Sequence, residues 1–352
     1  MGDIPVEPNV DAAEIEPRQN RDLSFEALEQ QRWRALERRL THLDRRCDGI
    51  IRTLSGGPYQ WLRRRLTPRL WTFEQYPSRR LQIRPDYRLE TVPDDPPRIA
   101  IVTPSLNHGA MIGATIDSIL QQNYPNLAYL VQDGKSRDNT RKVLESYGDK
   151  LRWWSEPDTG QANAINRGFR RIDGDIMGYL NSDDLLLPGT LAYVAKAFRD
   201  NPDVDLVYGH RIYIDLDGLE IGRCVLPPHD PQALEWADYV PQETLFWRRR
   251  VWQAVGPIDE KFQYALDWDF ILRAQAAGFR FKRLPRFLGC FRVHARQKTL
   301  DLIEVGAAEM RQLRVRNLGE VPGIYEIRRA ISGYILRQMA FDWMYRLGLV
   351  RY

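Results

Sequence analysis

Residues 99–107 read IAIVTPSLN, and the motif is answered downstream by QDGKSRDNT (132–140), SEPDTGQANAINRG (155–168) and GDIMGYLNSDD (174–184). Each segment carries or follows a short apolar run that ends in a cluster of small, amide or acidic residues. Between the runs, apolar residues recur at helical spacing. The pattern predicts strands over 99–103, 127–131, 151–154 and 176–180, with helices over 111–122, 139–147 and 161–171. Strands that are apolar throughout and alternate with amphipathic helices build a mostly parallel α/β sheet covered on both faces. The polar clusters then gather at the carboxyl ends of the strands, where open α/β sheets bind ligands. The first strand leads into TPSLNHG rather than a GxGxxG turn, which argues against a dinucleotide-binding enzyme.

Further along, Pro188 opens a helix expected over 188–199, and strand-like pieces fall at 205–209, 219–225 and 244–247. A helix is expected over 267–277, closed by Gly278, and another over 300–317. In the tail, Ile327, Ile331, Ile335, Met339, Trp343 and Leu347 recur in steps of four.

The chain has 352 residues and 43% hydrophobic content, enough for one large core with extensions. Its three cysteines, Cys47, Cys224 and Cys290, are scattered and include no CxxC pair. A disulfide framework or structural zinc is not expected, and a reducing cytoplasm fits best. No apolar run is long enough to span a bilayer, and the acidic start MGDIPVEPNV lacks a signal-peptide apolar region. Val6 stands where a myristoylation signal needs Ser or Thr.

The net charge of +4 is unevenly spread. Residues 1–30 carry net −6, whereas 31–90 hold fifteen arginines against six acids. No nucleic-acid recognition motif accompanies this basic stretch, so nucleic acid is not an expected partner. Residues 1–22 read as a disordered acidic tail. Over 23–56, Trp33, Leu36, Leu40, Leu43, Cys47, Ile50 and Leu54 form a heptad seam. The seam would either make a homo-oligomer through a coiled coil or lie on the chain's own α/β core. Residues 57–97 form a basic-aromatic arm, either a strap across the domain or a surface-binding segment, closed by PDDPP before the core at 98–299. The helical extension over 300–352, rich in arginine and aromatics, could meet a membrane surface or pack internally.

The four ordered motifs, together with PQETLFWRR (241–249), YALDWDFILR (264–273) and FRVH (291–294), closely resemble glycosyltransferase family 2 over roughly residues 98–300. The resemblance implies the GT-A fold, a Rossmann-like, mostly parallel sheet with helices on both faces, here with N- and C-terminal helical extensions. It also implies an inverting, metal-dependent transferase that moves a sugar from a nucleotide diphosphate, such as a UDP-sugar, to a glycan or lipid-linked acceptor hydroxyl. Surface polysaccharide or glycoconjugate synthesis follows from the family alone. By the same resemblance Thr103, Pro104, Ser105, Asp133, Gln161, Asn163, Ser182 and Asp183 contact the donor. The NSDD loop supplies Asp183 and Asp184 to Mn²⁺ or Mg²⁺, and His294 joins them. Which of the two acids is the main ligand stays open, because Asn181 stands where the family's D-x-D begins. Asp267 aligns with the catalytic base, with Asp269 as the other candidate. His108 reads as an ordinary loop residue. The cytoplasm, with peripheral contact at the inner face of the membrane, is the expected location. A sugar-nucleotide nucleotidyltransferase and a non-catalytic scaffold on the same fold are the competing readings.

Overall fold

A computed structural model describes residues 69–294 and 303–352. The heptad seam and the tail before it lie outside the described residues. Contacts divide the chain into two units, residues 1–66 and 67–352, and all the described elements belong to the second.

The centre of this unit is the sequence region that the apolar runs mark. Strands β1 (Ile99–Ser105), β2 (Leu127–Asp133), β3 (Arg152–Ser155) and β4 (Ile176–Tyr179) pair in parallel in the order β3-β2-β1-β4. They are connected by α1 (Ile112–Leu120), α2 (Thr140–Ser146) and α3 (Gln161–Arg171). Every residue of β1 is buried because both of its faces are covered. Ile99 and Ile101 pack with Ile112, Ile116 and Ile119 of α1, while Ala100 and Val102 face Ala162, Ile165 and Phe169 of α3. Helix α3 comes close enough that a Cβ on Gly168 would lie 2.4 Å from Val102 Cγ1.

Beyond β4 the sheet becomes mixed. The chain passes through β5 (Leu185–Leu186), helix α4 (Thr190–Asp200), β6 (Leu206–Ile214) and β7 (Glu220–Cys224). Then come α5 (Pro231–Trp236), β8 (Phe246–Arg248), α6 (Arg249–Val255), α7 (Leu266–Ala276) and β9 (Phe281–Arg292). The order continues β4-β8-β6-β9-β5, with β7 paired to β6. Strand β8 is antiparallel to both β4 and β6, and β9 is parallel to β6. The β6–β7 hairpin turns where Asp215 Oδ1 accepts the Asp217 and Leu219 N–H groups, and Gly218 takes φ 77°. The parallel expectation therefore holds for the first half of the sheet, while the second half is largely antiparallel.

The sequence pattern does not predict strand β9, because Pro285 and alternating basic residues break its apolar run. Pro285 falls where the β6–β9 register shifts, between the Tyr208–Arg283 and His210–Phe287 pairs, a position that needs no ladder N–H. Residues 69–97 run across the domain: Leu70 and Tyr87 are buried, and Arg79 forms an antiparallel bridge with Glu220. Two helices, α8 (Ile303–Leu318) and α9 (Ile324–Arg346), close the chain. Tyr334 of α9 packs against Tyr239 with ring centroids 4.1 Å apart. Among the described residues no helix is long and apolar enough to cross a membrane.

Candidate active site

The carboxyl ends of the parallel strands open into a cavity of about 720 Å³, a volume suited to a nucleotide-sized ligand. Pro104 and Ser105 line it from the end of β1, and Gln161 from the first residue of α3. Asn181, Ser182, Asp183 and Asp184 line it from the loop after β4. Ser105 Oγ is buried with no hydrogen-bond partner, an orphaned polar atom of the kind a ligand satisfies. Gln161 Nε2 donates to Asn181 Oδ1 at 2.6 Å, and Asn181 Nδ2 donates to Gln242 Oε1 at 3.0 Å. These amides tie α3, the NSDD loop and the PQET segment into one surface.

The two loop acids have separate environments. Asp183 Oδ2 pairs with His294 Nε2 at 3.0 Å, so one carboxylate and one imidazole converge beside the cavity. Asp184 turns inward: its Oδ1 accepts the Arg292 N–H of β9 at 3.0 Å, and its Oδ2 accepts from Asn181 Nδ2. Burial, with Asp183 and Glu243 nearby, pushes the Asp184 carboxyl well above the usual carboxylate range. Arg292 spends its guanidinium on the carbonyls of Asp183, Asp215 and Leu216 and does not reach the cavity as a free charge. The carboxylate oxygen suits Mn²⁺ or Mg²⁺, and the imidazole nitrogen favours Mn²⁺ of the two, at a site that draws its remaining ligands from phosphate and water. Among the described residues no group of three or more His, Cys, Asp or Glu side chains forms a complete protein cage.

Four expected donor or metal residues are placed away from the cavity or turned from it. Thr103 is buried against Tyr129, with the two hydroxyls 3.2 Å apart. Asp133 is wholly buried and accepts from the Ser136 N–H at 3.0 Å, the Ser136 hydroxyl and the Ser155 hydroxyl at 2.6 Å. It ties the loop after β2 to the end of β3. Asn163 Nδ2 donates to Glu260 Oε2 at 2.9 Å. Asp184 is the fourth: it borders the cavity, but both of its carboxylate oxygens are engaged by the Arg292 N–H and Asn181. The spacing of these residues gives no sign of which face each takes. His108, read as an ordinary loop residue, lies at the cavity with Nδ1 2.6 Å from Ser182 Oγ and its ring 6.3 Å from that of His294.

Across the cavity stands Asp267, in the first turn of α7. Its Oδ1 accepts the Trp268 N–H at 2.9 Å. Burial pushes its carboxyl up to about 6; the Trp268 N–H, its own N–H and Arg211 oppose the rise, and Glu243 adds to it. Asp269 is wholly buried between Arg273 (2.8 Å) and Arg316 (2.5 Å), so it braces the helix. Glu309 of α8 accepts the N–H groups of Gln263, Tyr264 and Ala265 at 2.7–2.9 Å, filling the donors just ahead of α7 that Ala265 has no side chain to cap. Arg211 and Glu243 form a bidentate pair at 2.7 and 2.5 Å behind the same wall. Asp238 also lines the cavity, and its Oδ1 is buried without a hydrogen-bond partner. Burial and the nearby Asp267 push its carboxyl up. Neither Asp238 nor Glu309 carries a motif signal, since each works through tertiary placement.

An open α/β sheet with acids and amides at its strand ends, facing an acid with a raised pKa, defines a group-transfer domain with room for a nucleotide. Residues 100–263 match the model for glycosyl transferase family 2. A PGL/p-HBAD biosynthesis glycosyltransferase of Mycobacterium bovis is 29% identical over 182 residues, covering 50% of this chain and 69% of that protein. The O-antigen biosynthesis protein RfbC of Myxococcus xanthus is 31% identical over 189 residues, which cover 51% of this chain but only 15% of RfbC. Among solved structures, the mannosyltransferase PcManGT from Pyrobaculum calidifontis, in complex with GDP-Man and Mn²⁺, superposes with a TM-score of 0.52 at 19% identity, covering 84% of this chain and 83% of that one. S. aureus TarS gives 0.50 at 20% identity, over 69% of this chain and 44% of TarS. Residues 100–263 are a glycosyltransferase family 2 domain, and the fold is GT-A-like. The chain is a glycosyltransferase.

Proposed function

We propose that this enzyme transfers a sugar, with inversion, from a nucleoside-diphosphate donor to a hydroxyl acceptor in glycoconjugate or surface-polysaccharide synthesis. The observation that carries the reading is the single cavity shared by the Asp183 loop on one wall and Asp267 on the other. Ser105, Gln161 and Ser182 are the donor-side contacts, with Pro104 shaping the same wall. Thr103, Asp133 and Asn163 act on the donor through the loops they hold. Asp183 and His294 would hold Mn²⁺ or Mg²⁺, which supplies charge neutralisation for a leaving diphosphate. Asp184 fixes that loop from behind.

Asp267 takes the proton from the acceptor hydroxyl as its oxygen bonds to the anomeric carbon. The bond from that carbon to the diphosphate breaks on the opposite side, which inverts the configuration. A carboxyl with a pKa raised to about 6 is ionised at neutral pH yet is a stronger base than an ordinary aspartate. The cytoplasm suits a donor of this class, and the arginine-bearing surface of α9 is compatible with peripheral attachment at the inner face of a membrane.

The test is calorimetric titration of UDP and GDP with and without Mn²⁺, followed by a donor-hydrolysis screen over a panel of sugar nucleotides. Metal-linked binding and nucleotide release are expected. Absence of both would leave a non-catalytic scaffold as the better account.

A further inference from the structure

The cavity is chemically lopsided. Its donor-side wall is amide, hydroxyl and carboxylate, but beyond Asp267 it is lined by Leu70, Trp71 and Phe73 from the strap and by Met310, Ile327 and Ile331 from the two closing helices. Trp71 is 49% exposed, unusual for a side chain of its size, and its Nε1–H donates to the Asp238 carbonyl at 3.4 Å. The apolar wall therefore runs directly into Asp238, whose buried Oδ1 has no partner. A nucleobase can stack on an aromatic face, but the amides, hydroxyls and acids suited to the donor lie at the strand ends, on the other side of Asp267.

We propose that this half of the cavity is an acceptor subsite for an amphiphile, a molecule whose hydroxyl-bearing head lies next to an alkyl or aryl group. The apolar group lies along Trp71, Met310 and Ile327. Asp238 accepts a hydrogen bond from one hydroxyl of the head, which leaves a neighbouring hydroxyl facing Asp267. Burial of the alkyl or aryl group provides most of the affinity, and the carboxylate pair fixes which hydroxyl reacts. The proposal rests on the transferase reading and adds the chemical class of its acceptor.

The probes are octyl β-D-glucopyranoside, kept below its micelle-forming concentration, and methyl β-D-glucopyranoside, titrated calorimetrically into the full-length protein. The octyl compound is expected to bind saturably and at least about 30-fold more tightly than the methyl compound, since several methylenes leave water. Trp71→Ala should weaken octyl glucoside binding about tenfold, and Trp71→Phe should restore most of it. Asp238→Asn should weaken both glucosides by a similar factor while leaving the alkyl preference intact. Equal affinity for the two glucosides, no saturable binding of the octyl compound, or a Trp71→Ala variant that binds it like wild type would each overturn the proposal. Binding of UDP or GDP with Mn²⁺, measured on the same samples, tests the transferase reading separately. Its loss with octyl glucoside binding intact would overturn that reading and leave the subsite standing.

Discussion

Replacing Asp267 with Asn should make the protein more stable and nearly inactive at once. The side chain keeps its size, and its Oδ1 can still accept the Trp268 N–H. What changes is the charge. The rise of the Asp267 carboxyl from the ordinary 3.8 to about 6 means the native fold opposes its ionisation by roughly 3 kcal/mol. Partial solvent access through the cavity reduces that to about 1–2 kcal/mol. The sign follows from proton binding. Between about pH 4 and 6 the native state holds this proton more firmly than the unfolded chain does, so wild-type stability falls as pH rises through that window. The Asn variant has no proton to lose there. Its advantage over wild type should be absent below pH 4 and fully developed above pH 6, enlarged by relief of the neighbouring Asp238 carboxylate. Urea denaturation at pH 4 and pH 8 measures the difference, and nucleotide titration checks that the donor site survives. Transfer should fall by about 10²–10⁴-fold, the usual worth of a general base. The wild-type rate should climb tenfold per pH unit below about 6 and then level. Near-normal transfer by Asp267→Asn would refute the assignment of the base, and an unchanged stability difference between pH 4 and 8 would refute the electrostatic reasoning.

Asp183→Ala should abolish the Mn²⁺ dependence of nucleotide binding with little change in stability, whereas Asp184→Ala, which frees the buried Arg292 N–H, should lower stability by about 1–3 kcal/mol; identical effects in both assays would contradict the division of roles drawn from their contacts. Gly168→Ala should cost about 1–3 kcal/mol in a denaturant titration, because the new methyl meets Val102 at 2.4 Å; a neutral result would mean α3 shifts freely on β1. Glu309→Gln weakens three charge-assisted bonds ahead of α7 and should lower stability by about 1–2 kcal/mol and slow transfer, with nucleotide affinity kept; a fall in nucleotide affinity of the same size would argue against an effect confined to that helix.

The first half of the sheet was legible because the apolar runs of β1, β2 and β4 are almost wholly buried and end in polar residues, while β3, exposed along one edge, still carries Trp153 and Trp154 between turn signals. Helix α3 was readable to the residue, since Gly160 precedes it and its apolar face is continuous. Strand β9 was not, because its partner tolerates Pro285 at a register shift that only pairing reveals. Among site residues, motif position located the cavity, but not which way each side chain turned. Adjacent Asp183 and Asp184 look equivalent in sequence, yet one meets an imidazole and the other a backbone N–H of a strand more than a hundred residues away. His108 and Asp238 gained their positions from neighbours distant in the chain, which no local pattern encodes.

The brace that Glu309 places ahead of α7 bears on how this enzyme can be altered. The family 2 model matches residues 100–263 and ends where those bonded N–H groups begin, just ahead of the Asp267 helix. The closing α8 adds Arg316 on Asp269, while α5 holds the other side of the helix, its Leu234 carbonyl accepting the Trp268 Nε1–H at 2.9 Å and its Pro231 carbonyl the Gln275 amide at 3.1 Å. A chimera joined between Phe262 and Gln263 therefore keeps the Glu309 brace and the helix it steadies on the same side of the join. A seam drawn after α7 would part it from the α8 carboxylate that holds the backbone just ahead of Asp267.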